Sequence, residues 1–422
     1  MSDADRKFLG QYTLHKLSVV SHYGSEADLL HIFSELNIFE DILVDSLSGN
    51  IHIHDSVNLI SNLPIVGGET LLIKFSTAGK EDSPIDLKMV VHRISEKPLL
   101  SEKLRSYTLF FTTPENFINQ QTQLVKYYEG PVSTIVGEIY AETFKGSKKK
   151  ITIEETKNIH SMIPCHWEPF FAFNYLSKYA VSKVGNKTGF LFYENLDGFH
   201  FRSLESLFEQ PPFITYQKLL EVQNRNFKDD SYSQRLTHVQ QHMVGETGQL
   251  LDAINMGAYG HQWMYVDIFN KKTVVNEYQY SNDFVKAKHV EKYPLIPKGV
   301  KGFDAKTSAR FMKVIHPFSD KGNQTTANQL MLNKRHAILH QFGMTEETIV
   351  VYGDSEMRAG VVVEFDIPSP EKMDTNFKRE RFYSGRSLVS AIRHTLTKEK
   401  YEMTLTLAKD SLSDDASKGG AE

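Results

Sequence analysis

From Tyr401 onward the apolar side chains fall at Tyr401, Met403, Leu405 and Leu407, with Glu402, Thr404 and Thr406 between them. That period of two predicts a strand with one wet face. Ahead of the polar turn Thr397-Lys398-Glu399-Lys400, Leu388, Ile392 and Leu396 share a face with Ser390 and His394, while Val389, Ala391 and Arg393 take the other. Residues 388–408 therefore read as a hairpin, with His394 a rim residue near its turn rather than a ligand. The same alternation marks 11–20, two strands within 36–56 joined by a polar loop ending in Gly49-Asn50, and then "ETLLIKFST", "IDLKMVVHRIS" and "RSYTLFFTT". At Thr113 the period switches. Thr113, Pro114 and Glu115 supply an N-cap, a first-turn proline and an acidic first turn, and Gly130-Pro131 a stop, so a helix is predicted over 114–129. Several strands and one helix make residues 1–130 a compact, mostly β unit.

The pattern changes over 131–220. Thr152 with Glu155 fits a capping box, Pro169 opens a helical aromatic run, and "TGFLFYENLDGFHF" reads as two strands about Asp197-Gly198. Phe170, Phe171, Phe173, Tyr175, Phe190, Phe192, Tyr193, Phe199 and Phe201 are read as core packing for this smaller α/β domain. Strands return in "QWMYVDIFNKKTVVNEYQYS" and in "EETIVVYGDSEMRAGVVVEFDIP", with a helix within 324–342 closed by Gly343. These assign 221–285 and 323–412 to a second strand-rich unit, 286–322 to an insertion of weak pattern, and 413–422 to a disordered tail. Residues 89–113 and 388–408 share a valine- and arginine-bearing strand, a charged connection and a tyrosine-led alternating strand. One strand-rich unit thus occurs twice, and three such chains about an axis would present six similar modules, a pseudo-sixfold ring.

Composition narrows the class. The 422 residues are 40% hydrophobic and 24% charged, too long for one core, and no apolar run is long enough to cross a bilayer. The start "MSDADRKFLG" lacks the basic-then-apolar order of a secretory signal, so synthesis and assembly in a cytoplasm are expected. A single cysteine, Cys165, excludes an intramolecular disulfide and a multi-cysteine zinc site. A net charge of -4 gives no global basic field for nucleic acid, and the one dense basic run, "KGSKKK" at 145–150, reads as a solvated loop before a helix.

Candidate chemistry is sparse. In "GNIHIHDS" His52 and His54 project from one face of a strand at metal-ligand spacing, with Asp55 following, but a catalytic zinc needs a third ligand that no comparable cluster offers. They are read as residues of an interface or channel lining, with a metal-dependent hydrolase as the competing reading. His238 and His242 in "HVQQH" have helical i, i+4 spacing without the glutamate of a metalloprotease helix. Cys165-His166 is adjacent in sequence, which rarely places a base on its nucleophile, so packing beside Trp167 is the default. "GNKTG" and "GETGQ" lack Walker spacing. Without a nucleotide cradle, metal cage or triad, the expectation is no enzyme and no cofactor.

Particular words in the sequence carry a resemblance. Residues 36–77 hold Phe39-Glu40 ending a strand, Ser48-Gly49, a strand ending in Asp55, Leu63-Pro64-Ile65 and Gly68-Glu69. This stretch resembles the N-terminal barrel of baseplate hub proteins of contractile-tailed bacteriophages. "GFLFYENLDGFHFRSLESL" is similar to the strand pair of their middle domain, and "IVVYGDSEMRAGVVVEFDIP" with the closing hairpin to the end of their second barrel. The resemblance runs in order over most of the chain and is thin across 286–322. It implies an α+β, mostly β fold: two tail-tube-like antiparallel β-barrels, a smaller α/β domain between them, and an insertion in the second barrel. It implies a structural homotrimer of the virion tail baseplate that joins a sixfold tail tube to a threefold spike. Its partners would be the tube or tube-initiator protein, the central spike and wedge or inner baseplate proteins. DNA would touch it only in passage, and no membrane stably. A lytic or carbohydrate-binding tail module is the other alternative.

Overall fold

The computed structural model describes residues 9–56, 59, 63, 65–96, 105–218, 235–245, 250–268, 270–296, 307–315, 324–368, 380 and 382–414. The expected tail lies outside the described residues from 415 on, as do 297–306 and 316–322 of the expected insertion. Among the described residues strand outweighs helix, 47% against 18%, which fixes the class as mostly β.

The first barrel is built from β1 (Tyr12–Val20), β2 (Glu26–Asp28), β3 (Phe33–Asp41), β4 (Ser48–Asp55), β5 (Thr70–Thr77), β6 (Ile85–Glu96) and β7 (Arg105–Thr112). Their order in the sheet is β3-β4-β7-β6-β5-β1-β2. Alternation buries Ile51 and Ile53 of β4 against Tyr107, Leu109 and Phe111 of β7. Gly49 lies inside β4, not in the loop, which spans 42–47. A Cβ there would come within 2.4 Å of both the Asn37 carbonyl and the Phe111 ring, so the close approach of β3 and the ring requires glycine.

The helix after Thr113, α1 (Pro114–Gln121), stops eight residues before its expected end. Thr122 is extended, Leu124 bridges to Trp167, and β8 (Tyr128–Pro131) pairs with β10 (Ile159–Met162). Sheet partners distant in sequence thus claim the backbone groups that a longer helix would have paired internally. A helix the pattern did not announce follows directly, α2 (Val132–Thr143), burying Val132, Ile135, Val136, Ile139 and Tyr140. Thr152 sits in a strand, β9 (Lys150–Ile153), so the capping box is not realised. The loop 144–149 therefore precedes a strand, not a helix. The aromatic segment is α3 (Pro169–Ser177), and the expected strand pair is β11 (Phe190–Asn195) with β12 (Gly198–Ser203), followed by α4 (Leu204–Phe208).

Phe170, Phe173, Phe190, Phe192, Phe199 and Phe201 do form one core, in which Phe192 and Phe199 stack at 5.6 Å. Phe171 is 55% exposed instead, and Tyr193 belongs to the barrel core. Two histidines of this domain sit low in pKa, at about 4. Burial is the main cause, reinforced by the Lys313 charge for His160 and by the Arg202 charge for His200. Such imidazoles stay neutral when folded, while the unfolded ones take up protons below about pH 6.5. Stability is therefore present above the unfolded value and is lost as pH falls towards 4. The melting temperature is expected to drop across that window, and His160→Gln to flatten the drop in circular-dichroism melts.

The second barrel uses β13 (Thr215–Gln217), β14 (Gln241–Val244), β19 (Thr345–Tyr352), β20 (Val362–Asp366), β21 (Gly385–Thr397) and β22 (Tyr401–Lys409). Between β14 and β19 stand α5 (Leu250–Asn255), β15 (Gly260–Asp267), β16 (Lys272–Gln279), α6 (Tyr280–Asp283), β17 (Tyr293–Pro294), β18 (Ala309–Ile315) and α7 (Gln324–Gln341), and β23 (Ser411–Leu412) is the last described strand. β15, β16 and β18 form a sheet of their own. The strands at 260–279 therefore belong to the insertion, which is wider than 286–322; alternation marks a strand but not the sheet it joins. α7 ends at the expected place, before Gly343 with φ 81°. Its Arg335 donates to the Phe190 carbonyl at 2.7 Å and so ties the insertion to the middle domain.

The two barrels repeat each other. β1, β3, β4, β5, β6 and β7 correspond in chain order to β13, β14, β19, β20, β21 and β22. The sheet orders β3-β4-β7-β6-β5-β1 and β14-β19-β22-β21-β20-β13 match strand for strand. One difference is that β1 runs antiparallel to β5, whereas β13 runs parallel to β20. Local detail repeats as well. The β6–β7 ladder shifts register between Val91 and Arg93, and the β21–β22 ladder between Val389 and Ala391. Gly68 (φ 91°) and Gly360 (φ 90°) donate to the carbonyls of Val91 and Val389, at 2.6 and 2.8 Å. The amides of those valines donate in turn to Glu69 and Val361, each at 2.9 Å.

Candidate functional surface at the joint between the barrels

β21 is long enough to serve two sheets. Its first part pairs with β20, up to Val362↔Leu388. The strand then bulges at Ser390, whose carbonyl accepts the Ile42 N–H at 3.0 Å, and from Ala391 to Thr397 it pairs with Asp41 to Glu35 of β3. The barrels are thereby joined edge to edge in one continuous sheet.

Each face of the joint has its own chemistry. On the core side Glu40, His394 and Tyr401 are fully buried. His394 Nε2 lies 2.7 Å from Glu40 Oε1, and Nδ1 lies 2.7 Å from the Tyr401 hydroxyl. A carboxylate only accepts, so Nε2 donates to Glu40. Glu40 Oε2 accepts the Ala359 N–H at 3.1 Å. Burial first, then the Asp354 and Glu40 charges, push the Tyr401 hydroxyl well above its ordinary range. His394 is thus not a rim residue. Its neighbours in sequence could not reveal that β3, more than 350 residues away, would cover it. A signal was present all the same: His394 shares a face with Ile392 and Leu396, and Glu40 with Leu36 and Ile38, so each is a polar residue on an apolar face.

On the outer side the joint is laced by polar side chains. Arg393 donates to Asn37 and Glu35, each at 2.9 Å, and Asn37 donates to Asn50 at 3.0 Å. This face continues to β4, where His52 Nδ1 meets Thr108 Oγ1 at 2.7 Å and His54 is exposed. The two histidines share a face, as their spacing requires. Asp55 takes the other: it is buried and accepts the Leu59 N–H at 2.7 Å. Among the described residues no group of three His, Cys, Asp or Glu stands close enough to hold a metal ion.

The remaining motifs separate. His242 lies on β14, not a helix, with Nε2 at 2.9 Å from Glu347, and His238 makes a bridge to Gln217. Cys165 is exposed instead of packed, and His166 turns its Nδ1 to Gln123 at 3.0 Å. A surface groove of about 360 Å³ beside the β21–β22 turn is lined by Tyr12, Leu14, Phe33, Lys398 and Glu399. In the basic run 145–150, Lys145, Lys148 and Lys150 are exposed as a solvated loop requires, and Lys149 alone departs from that reading. Lys149 bridges two buried carboxylates, Glu115 at 2.8 Å and Glu194 at 2.5 Å, and Glu194 also accepts the Leu47 N–H and the Thr113 hydroxyl.

No protein-family model and no curated protein sequence matches the chain. Solved structures do. A tail protein from Neisseria meningitidis MC58 aligns over 94% of this chain and 96% of its own, with a TM-score of 0.55 at 12% identity. The 43 kDa tail protein of prophage MuSo2 from Shewanella oneidensis aligns over 95% of this chain and 100% of its own, with a TM-score of 0.57 at 8% identity. The fold is that of phage tail proteins. The likeness spans almost the whole of each molecule, so it covers both barrels and the domain between them.

Proposed function

We propose that the chain is a structural hub subunit of a phage tail baseplate, acting as a homotrimer in the virion and not as an enzyme. The observation that supports this reading is the repeated barrel joined in one continuous sheet. Three copies of a chain with two equivalent barrels present six similar modules to a sixfold tail tube or its initiator, while the whole assembly keeps the threefold symmetry of a central spike. Wedge or inner baseplate proteins would meet its outer surfaces. The polar face carrying His52, His54 and Arg393 is suited to line a lumen through which DNA passes, and the weakly negative net charge of the whole chain gives no global field that would hold phosphates. His52 and His54 then serve as lining or interface residues.

Light scattering on the purified chain, alone and with a spike protein, tests this. The expected mass is three times that of one chain. A chain that stays monomeric with and without the spike would overturn the hub reading. Peptidoglycan clearing by the purified trimer would instead favour a lytic module.

A further inference from the structure

The sheet of the insertion rests on histidines. His336 and His340 lie four residues apart on α7 and so share a face. His261 of β15 meets them: its ring centroid is 4.9 Å from that of His336, which in turn is 4.4 Å from that of His340. His336 also packs at 4.7 Å against Phe311 of β18, and Phe311 at 4.9 Å against Trp263. Three imidazoles thus stand where the sheet β15-β16-β18 is seated on α7. The helix itself belongs to the body of the chain, since Ile338 lies in the barrel core and Arg335 is held by the middle domain.

The surroundings keep these rings neutral. His261 is 0% exposed; its Nδ1 donates to the Gly257 carbonyl at 2.7 Å, and its Nε2 has no hydrogen-bond partner. Burial pushes the His261 imidazole down to about 4, against the pull of the Gly257 and Asn333 carbonyls and with the help of His336 and His340. Burial lowers His336 as well, and lowers His340 together with the His336 charge. Of the ionisable groups on the packed elements, β16 brings Tyr278 onto the His261 ring, β18 brings Lys313, and α7 adds Lys334 and Arg335. Glu277 and Arg310, both opposite Gln262, take the other face of the sheet. Asp252 of α5 and Glu346 of β19 line a groove with His340. Among the described residues no carboxylate bonds to any of the three rings, so none compensates a proton placed there.

The second contact of the sheet has the same character. Lys313 lies over the Tyr179 ring at 4.6 Å, and His160, held neutral mainly by burial, stacks on Tyr179 at 4.7 Å. A proton on His160 would set a second cation beside Lys313. The base of the insertion is built the opposite way. His289 donates to Asp410 at 2.7 Å, and although burial opposes its charge, Asp410 outweighs burial and raises its pKa. That pair persists on mild acidification, when the other four histidines are being forced to charge.

From this arrangement we infer that the insertion carries an acid-released latch: as pH falls below about 6, the sheet β15-β16-β18 lifts from α7 and Tyr179 about its base at His289, while both barrels stay folded. The latch goes beyond the hub reading and does not depend on it. A lifted imidazole recovers its ordinary value near 6.5 and takes up a proton that the seated one refuses. Seating is therefore favoured above that value and lost as pH falls, the opening constant rising by up to about tenfold per pH unit for each such histidine.

Trp167 and Trp263 are the two tryptophans, so Trp167→Phe leaves Trp263 as the reporter of the latch. Its emission is expected to shift to the red, and its quenching by acrylamide to increase, between about pH 6 and pH 4.5 with a slope of more than one proton. On the unmodified chain, amide exchange at 336–341 is expected to accelerate over the same range while 401–409 stays protected. His336→Gln with His340→Gln is expected to move the midpoint to lower pH and to flatten the slope. An emission unchanged down to about pH 4.5, or the same midpoint and slope in the double variant, would overturn the latch. So would exchange at 401–409 that accelerates together with 336–341, since the barrels would then be opening with the sheet.

Discussion

His394→Ala is expected to lower the unfolding midpoint more than any other single change at the joint. The substitution leaves Glu40, which is 1% exposed, without the donor that faces Oε1, and it opens a cavity beside the Tyr401 ring. Stranding a buried carboxylate in this way costs on the order of 3 kcal/mol or more. His394 lies in the β21 segment that pairs with β3, so the loss falls on the contact that sets one barrel against the other. Glu40→Gln keeps the size and an acceptor and is expected to cost less. The double change His394→Leu with Glu40→Leu is expected to recover part of the loss, limited by the Ala359 N–H left unpaired. Urea unfolding of the four proteins measures this. A His394→Ala protein with the midpoint of the parent would show that the buried network does not hold the joint.

Lys149→Met is expected to cost about 3–5 kcal/mol at pH 8, the range for breaking a buried ion pair by removing one partner. Glu115 and Glu194 are 5% and 1% exposed and share this one ammonium. Their present balance shows what the lysine does. Burial raises the Glu115 carboxyl, but the Lys149 charge and hydrogen bonds outweigh it and hold that group below its ordinary range. Glu194 is so deeply buried that desolvation wins and raises it, even against Lys149. Without the cation both groups rise, so the folded state binds more protons than the unfolded one. Stability of the variant should then fall as pH increases through that window and recover as pH decreases. The deficit against the parent is accordingly expected to shrink between pH 8 and pH 5. A deficit independent of pH would mean that Lys149 contributes through its packed stem and not through its charge.

The candidate surface was only partly legible in the sequence. Period-two alternation placed β1, β5, β7, β21 and β22 closely, because a half-buried strand writes its two faces directly into neighbouring residues. The likeness between the β6–β7 and β21–β22 segments pointed to the repeat. It could not show the matching bulges or the two glycines at φ 90–91°, since those depend on backbone hydrogen bonds. His52 and His54 were correctly put on one face, while Asp55 was drawn towards them only by adjacency. The helix predicted to 129 failed because Gln121 is followed by residues whose partners, near 159–167, lie outside any local window. The strands 260–279 were recognised as strands and assigned to the wrong sheet for the same reason.

By itself the sequence determined the class: a mostly β chain with one architecture used twice around an aromatic α/β domain. Only the tertiary structure decided that β21 crosses from one barrel to the other. It also decided that Glu40, His394 and Tyr401 meet, and that Lys149 is partnered instead of solvated. Alternation depends on which side of a strand is wet, and short stretches of chain carry that information. Edge pairing and buried charge depend on contacts between residues tens to hundreds of positions apart, and these exist only once the whole sheet has closed.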